Sequence, residues 1–541
     1  MTTQSNQPDV LMQLDPEFKH DLPPELLLSI VRVLPANEIA LTGRLINKAT
    51  AAHFRGPQFT TVRLSLPSPP HAFAKRWGSP GAMRGLTLAQ RRQLLCLTAA
   101  SGSLPNLQVA ATHAGCALNG RGFLATIHSG CVQTGGAFPA AAAAGQLEVC
   151  QWLRQQGCTW ESHPLDAAAE AGQRAACEWL LAAGCPWSHA AVYSAARGGH
   201  VGLMEWLLQQ RPERAEVCNM RLLQTASRGC DLATLQRLYR DWRGARLGRQ
   251  FKCDILTTVV GSPAPDWQDK VVWLEKQGCP KDPSVCAEAA TCSDALSRLA
   301  WLRRRGYPVD EMALHLAAER GDVAVMDSLD CFMNEGDQLE VDMMTLGYTA
   351  SNAARHGHLA ALQWFFARFD LNPSNALDSA AQGGHLELVS WLLGRAGGNM
   401  RSALFASAAT SGNLELLRWL RQRGCPWDAS ALSRAAEAGC EEALEWLVEQ
   451  GCRWGSNGDA YIRAARNGDL GTLRCLRRLG CPWGTHKTFT TCVGDNCPLE
   501  ALRLLLELGC PVNWGEALKK ANSVRDVAYR DGVLALQHQQ R

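Results

Sequence analysis

Apolar residues recur along most of this chain in pairs of short stripes, each closed by a glycine. Between 429 and 452, Leu432, Ala435 and Ala436 stand three and four apart and Gly439 follows; Leu444, Trp446 and Leu447 then lead to Gly451 and Cys452. Spacing of three and four puts residues on one face of a helix, so the segment predicts two short helices. The paired alanines let a neighbouring helix approach closely. Gly439 supplies the left-handed backbone that a sharp interhelical turn needs. Cys-Pro-Trp or its equivalent follows as an extended link, because proline cannot continue a helix.

The same unit recurs. Residues 143–160 read AAGQLEVCQWLRQQGCTW, 171–187 AGQRAACEWLLAAGCPW, 411–427 SGNLELLRWLRQRGCPW and 438–454 AGCEEALEWLVEQGCRW. Trp152, Trp179 and Trp206 are 27 positions apart, and the period drifts to 28 and 29 further on. The glycine, tryptophan and Gly-Cys landmarks mark about fourteen units between Leu94 and Trp514. Units at 220–242 and 312–332 fit the pattern worst and read as bends or insertions. Helices of eight to ten residues do not hold alone in water. Stacked units bury each other's apolar faces, so the expected fold is all-α, an elongated solenoid with a long concave face. The chain then divides into a disordered tail at 1–20, a helical module at 21–54, a connector at 55–92, the array at 93–514, and a C-terminal cap helix and tail at 515–541.

The run Ala313-Leu314-His315-Leu316-Ala317-Ala318-Glu319-Arg320-Gly321-Asp322 resembles the Thr-Pro-Leu-His-x-Ala-Ala core of ankyrin repeats. The segment 384–389, Gly-His-Leu-Glu-Leu-Val, is similar to the start of their second helix. The resemblance covers some four fifths of the chain and implies a protein-binding scaffold. It departs from the family in period, 27 to 29 against about 33, and in having Gly-Cys-Pro-Trp for the usual Gly-Ala-Asp. The loop that carries a β-hairpin finger in the family is therefore expected to be short.

In the N-terminal module, Leu26, Leu27, Ile30, Val31 and Leu34 share a helical stripe, with Pro23 and Pro24 suited to a first turn and Pro35 as a stop. Asn37 can cap a second helix through Ile39, Leu41, Leu45 and Ile46. The Leu-Pro-x-Glu-Leu-Leu opening resembles an F-box, the module that docks on the Skp-type adaptor of cullin-RING ubiquitin ligases. Carried over to this chain, the resemblance implies adaptor contacts at Leu22, Pro23, Leu26, Leu27, Ile30 and Leu34. Where the family usually closes on a Val-Ser-Lys-x-Trp-like stretch, this chain has Leu45-Ile46-Asn47-Lys48-Ala49-Thr50. The alternative is that these helices only cap the solenoid, leaving a free-standing scaffold.

Composition trims the remaining classes. A formal net charge of +3 over 541 residues gives no reason to expect a nucleic-acid partner. Apolar runs such as 139–144 fall far short of the ~20 residues that span a membrane, and the polar start reads as no secretory signal. A monomer in the cytoplasm or nucleus with free thiols is expected. Of 22 cysteines, Cys116, Cys158, Cys185, Cys279, Cys425, Cys452, Cys481 and Cys510 occupy the Gly-Cys turn, where repetition points to a small buried hydrophobe. Cys481, His486, Cys492 and Cys497 fall within one unit at spacings that match no familiar zinc motif. No catalytic constellation is legible, so no enzyme, cofactor or metal is expected. The recurring tryptophans belong to packing between units. Arg237, Arg240, Arg243, Arg246, Arg249 and Lys252 read as a solvated insertion.

A binding surface needs variable positions on a constant frame. Two and five positions before each interhelical glycine, opposite the paired alanines, stand Ser194 and Arg197, Asn352 and Arg355, Ser379 and Gln382, Arg434 and Glu437, and Arg463 and Arg466. These residues are the expected partner contacts on the concave face.

Overall fold

The computed structural model describes residues 29, 31–116, 118, 136–160, 163–210, 217–241, 247–334, 343–398, 400–485, 487–524 and 526–540. Among them no strand forms, and the regular structure is helical throughout. No described helix is long and apolar enough to cross a membrane. From Leu88 onward the helices alternate as pairs, the first being Leu88–Ala100 with Leu104–His113 and a late one Ala429–Ala438 with Glu441–Glu449. The last pair, Trp514–Ser523 and Val527–Gln540, stacks on the one before it.

Local chemistry accounts for each pair. Asp428 accepts from the Ser430 amide at 2.9 Å to start one first helix, and the paired Ala435 and Ala436 on it are fully covered by the neighbouring first helices. Gly439 then takes φ +75°, the left-handed turn expected of it. Glycine is needed before several turns for a second reason: a Cβ on Gly172 would lie 2.5 Å from the His200 ring of the next pair. The second helix stops the same way. Gly424 adopts φ +77° and the Cys425 amide reaches back to the Leu420 carbonyl at 3.0 Å. The Gly-Cys-Pro-Trp link that follows makes no strand pairing, so the loops are as short as the sequence implies.

The two weak units are ordinary pairs rather than bends or insertions. Asn219–Gly229 is followed by Leu232–Asp241, and Glu311–Arg320 by Val323–Asn334. In the first of them Cys230 takes the turn at φ −80°, with Asp231 accepting from the Thr234 amide, so the glycine landmark is absent while the turn is kept. The basic stretch is likewise part of the array. Arg237 and Arg240 lie on Leu232–Asp241, Arg249 and Lys252 on Arg249–Val260, and Arg243 and Arg246 fall outside the described residues. Arg237 pairs with Glu205 at 2.5 Å and Lys252 donates to the Gln277 carbonyl.

First helices of successive pairs pack along their whole length, whereas second helices touch at few points. That inequality curves the stack with first helices inside, and over about twelve pairs the curvature brings the array round on itself. Arg91, on the first pair, donates to Asp469 at 2.6 Å, to the Gly439 carbonyl at 2.8 Å and to the Ala114 carbonyl at 2.6 Å. Gly471 donates to the Gly115 carbonyl at 2.7 Å, Glu442 to the Arg84 carbonyl at 3.2 Å, and Arg92 to the Asn467 carbonyl. Burial by itself would favour loss of the Arg91 proton, but the Asp469 carboxylate outweighs it and holds the guanidinium above its ordinary value. With ~9 Å between neighbouring inner helices and ~5 Å for the helix radius, one turn encloses a bore roughly 25 Å across.

Before the array, Val31, Ile39 and Phe54 form a small core of their own, with Leu34 and Phe59 against it. Asn37 ties this module to the connector. Its amide donates to the Arg63, Leu66 and Pro67 carbonyls at 2.8 to 3.1 Å and its oxygen accepts from the Arg63 amide at 2.9 Å.

Candidate protein-interaction surface

The side of each inner helix opposite the paired alanines carries the expected contact residues, and neighbouring helices bring several of them together. Arg463 bridges to Glu437 on the preceding helix at 2.7 Å and to Asp459 on its own at 2.7 Å. Arg434 reaches the same Glu437 at 3.0 Å. Arg197 pairs with Glu170 at 2.6 Å, two positions before the preceding turn glycine, and Arg466 pairs with Asp495 at 2.5 Å. The Asp495 hydrogen bond raises the Arg466 guanidinium above its ordinary value. Ser194 is buried beneath Arg197, 3.4 Å from its guanidinium. Asn352, Ser379 and Gln382 are half-buried and Arg355 is exposed.

These arginines are therefore mostly spent within the array, where Arg197, Arg463 and Arg466 each link one repeat to the next. Arg355 differs: no described carboxylate lies within ion-pair reach of it. Beside it runs a feature that sequence reasoning missed. Met344 is 82% and Tyr348 63% exposed on the helix Met343–Arg355, and Met312 is 49% exposed on the preceding inner helix. Tyr348 stacks on His315 with ring centroids 5.6 Å apart, and His315 meets the Thr349 hydroxyl at 2.9 Å. Nothing in the repeat landmarks flags these residues, because landmarks mark what recurs and this patch occurs once among the described residues.

Leu22, Pro23, Leu26, Leu27 and Ile30 lie outside the described residues; Leu34 is half-buried in the small N-terminal core. Val33, Leu45 and Ile46 on that module are 82%, 78% and 51% exposed.

The recurring histidines, cysteines and tryptophans belong to packing. His200, His358 and His385 each set Nε2 within 3.1 Å of a backbone carbonyl of the preceding repeat, at Glu170, Glu319 and Arg355. Turn cysteines are buried, and burial pushes the Cys158 and Cys425 thiols up to about 11 and that of Cys481 to about 12. Cys492 and Cys497 are buried and hydrogen-bonded to each other, while His486 falls outside the described residues. Tryptophans pack edge-on or under arginines: Trp427 lies 6.3 Å from Trp446 and Arg421 sits 3.9 Å above Trp427.

A family model for ankyrin repeats in three copies matches residues 377–458, and another for ankyrin repeats in many copies matches 350–393. Residues 350–458 are ankyrin repeats. No curated protein matches the chain. Similar solved structures include the pentatricopeptide repeat protein PPR10 from maize, 11% identical over 95% of this chain and 90% of that one, with a TM-score of 0.22. The same protein in complex with an 18-nt psaJ RNA element is 12% identical over 96% and 94%, with a TM-score of 0.24. This neighbour corrects one expectation. Nucleic acid is not excluded by the net charge, because a helical-repeat protein among these matches is solved with RNA and because charge summed over a whole chain does not report the charge of one face. The RNA belongs to the maize protein, and scores of 0.22 and 0.24 transfer no ligand to this chain.

Ankyrin repeats are protein-interaction scaffolds, and their presence at 350–458 supports that role for this chain.

Proposed function

We propose that this scaffold is the substrate-recognition part of a cullin-RING ubiquitin ligase, held to a Skp-type adaptor through residues 21–54 and presenting a bound protein on its concave face. It acts by binding and not by catalysis. The observation that carries the reading is the placement of apolar side chains on the N-terminal module. Val33, Leu45 and Ile46 stand out in solvent while Val31, Ile39 and Phe54 make a core separate from that of the array. A module whose task was to cap the first repeat would turn its apolar side chains towards that repeat. Here the link to the array is polar, through Asn37 and the connector.

Binding of the purified full chain to purified Skp-type adaptor, followed by calorimetry, tests the reading. Micromolar or tighter binding is expected, with Leu22→Ala/Leu26→Ala and Leu45→Ser/Ile46→Ser variants losing it while keeping the wild-type melting temperature. No binding by the wild-type chain, together with a melting temperature lowered by the same substitutions, would leave a free-standing scaffold whose N-terminal helices are a cap.

A further inference from the structure

The patch on the eighth and ninth inner helices has the makings of a site, and it rests on the scaffold reading above. Measured from Tyr348, Met344 is one turn back and Asn352 and Arg355 one and two turns on, so all four share one face of Met343–Arg355. On Glu311–Arg320 the matching stripe is Met312, Leu316 and Glu319. His315 stacked on Tyr348 fixes the two helices against each other at this point. The face is thus apolar at one end, where Met312 is about half exposed and Met344 and Tyr348 more so, and cationic at the other, where Arg355 is exposed.

Two contrasts single it out from the rest of the concave face. At the position of Met312 and Tyr348, nine before the turn glycine, other inner helices carry small or polar residues, as at Ala190, Asn375 and Ser430, and among the described residues no other inner helix presents exposed large apolar side chains at this density. Arginines at the equivalent positions are neutralised by carboxylates of their own or adjoining repeats, at Glu170, Glu437 and Asp495, whereas Arg355 has none within reach among the described residues. Glu319 is the single acidic side chain on the two stripes, and it makes no ion pair with Arg355. Methionine, tyrosine and arginine are also the types enriched where proteins bind proteins, methionine because its flexible thioether adapts to the partner.

We infer that Met312, Met344, Tyr348 and Arg355 dock a short linear peptide that lays an apolar side chain over the methionines and Tyr348 and a carboxylate on Arg355. Seven residues of helix separate Tyr348 from Arg355 and eleven separate Met344 from it, about 10 and 17 Å at 1.5 Å per residue. An extended peptide covers that span in roughly three to five residues. The expected ligand is therefore an aliphatic or aromatic anchor with Asp or Glu three to five positions away.

Panning a phage-displayed random twelve-residue library on the immobilised full chain tests this. Enriched sequences should share that anchor and acid at that spacing, and a fluorescein-labelled peptide of the leading sequence should bind in solution. Tyr348→Ala and Met344→Ala should each weaken it tenfold or more, as should Arg355→Glu, with unchanged circular dichroism. The melting temperature should hold for Met344→Ala and Arg355→Glu, whose side chains are exposed, and fall slightly for Tyr348→Ala, which gives up the stack on His315. Replacing the peptide's acid by Lys should restore binding to Arg355→Glu, which a merely structural role for Arg355 would not do. Absence of enrichment would overturn the inference. So would enriched peptides indifferent to all three substitutions, but these would leave the scaffold reading standing with its contacts elsewhere.

Discussion

The carboxylate of Asp469 lies 2.6 Å from the guanidinium of Arg91, 378 positions away in the chain, with 0% and 3% of the two side chains exposed. Both charges are out of water, so neither can lose its partner cheaply; breaking one half of such a pair costs about 3–5 kcal/mol. Asp469 also accepts from the Thr472 amide and hydroxyl at 3.0 and 2.7 Å, which starts the helix Leu470–Arg478. Asp469→Ala is expected to lower stability by at least that amount in urea unfolding and to raise the radius of gyration in small-angle scattering as the seam parts. Arg91→Met combined with Asp469→Leu should recover part of the stability, because no charge is then left buried and unpaired.

Alkaline pH should destabilise the array earlier than the usual lysine and tyrosine range. Burial pushes Cys150, Cys177, Cys286, Cys475, Cys481 and Cys510 up to about 12. A thiol whose folded value exceeds its unfolded one stabilises fully below the unfolded value, near 8.5 to 9, and loses that contribution as pH rises towards the folded value. Urea midpoints measured under reducing conditions should hold steady to about pH 8.5 and fall progressively beyond it. Cys150→Ala/Cys177→Ala should make the fall shallower. A midpoint flat to pH 10.5 would contradict the burial of these thiols.

Mild acid acts through His358. Burial lowers its value below the ordinary one, opposed by the hydrogen bond to the Glu319 carbonyl. A histidine depressed in the folded state stabilises above its unfolded value, near 6.5, and that contribution is lost as pH falls below it. Thermal melts from pH 7.5 to 5 should show a decline that His358→Gln reduces, since the amide can donate the same hydrogen bond without titrating.

The frame of the molecule was written in residues that recur. Ala435 with Ala436 and the glycine after them reappear in unit after unit because every unit faces the same packing problem, so the helical pairs and their short links could be read directly. The unit at 220–242 failed the reading for the same reason: Cys230 does the work of a glycine by another backbone route. Closure was not legible. It depends on a small difference between inner and outer packing summed over about twelve pairs, and no residue encodes that sum. Of the expected contact residues, Arg197, Arg463 and Arg466 proved to bind the array to itself, while the exposed Met344 and Tyr348 went unnoticed because they break the pattern.

A seam that joins the first pair to the twelfth and thirteenth also constrains how such a chain can change over generations. Open repeat arrays gain and lose units freely, because each unit answers only to its neighbours. Here one extra unit between residues 117 and 438 would carry the Asp469 turn roughly 9 Å past Arg91 and leave both charges stranded. Duplications in that interval should be purged, while units added beyond the seam, after residue 482, leave it intact. The gene is thus expected to vary in length at its 3′ end and to keep a fixed number of units ahead of it.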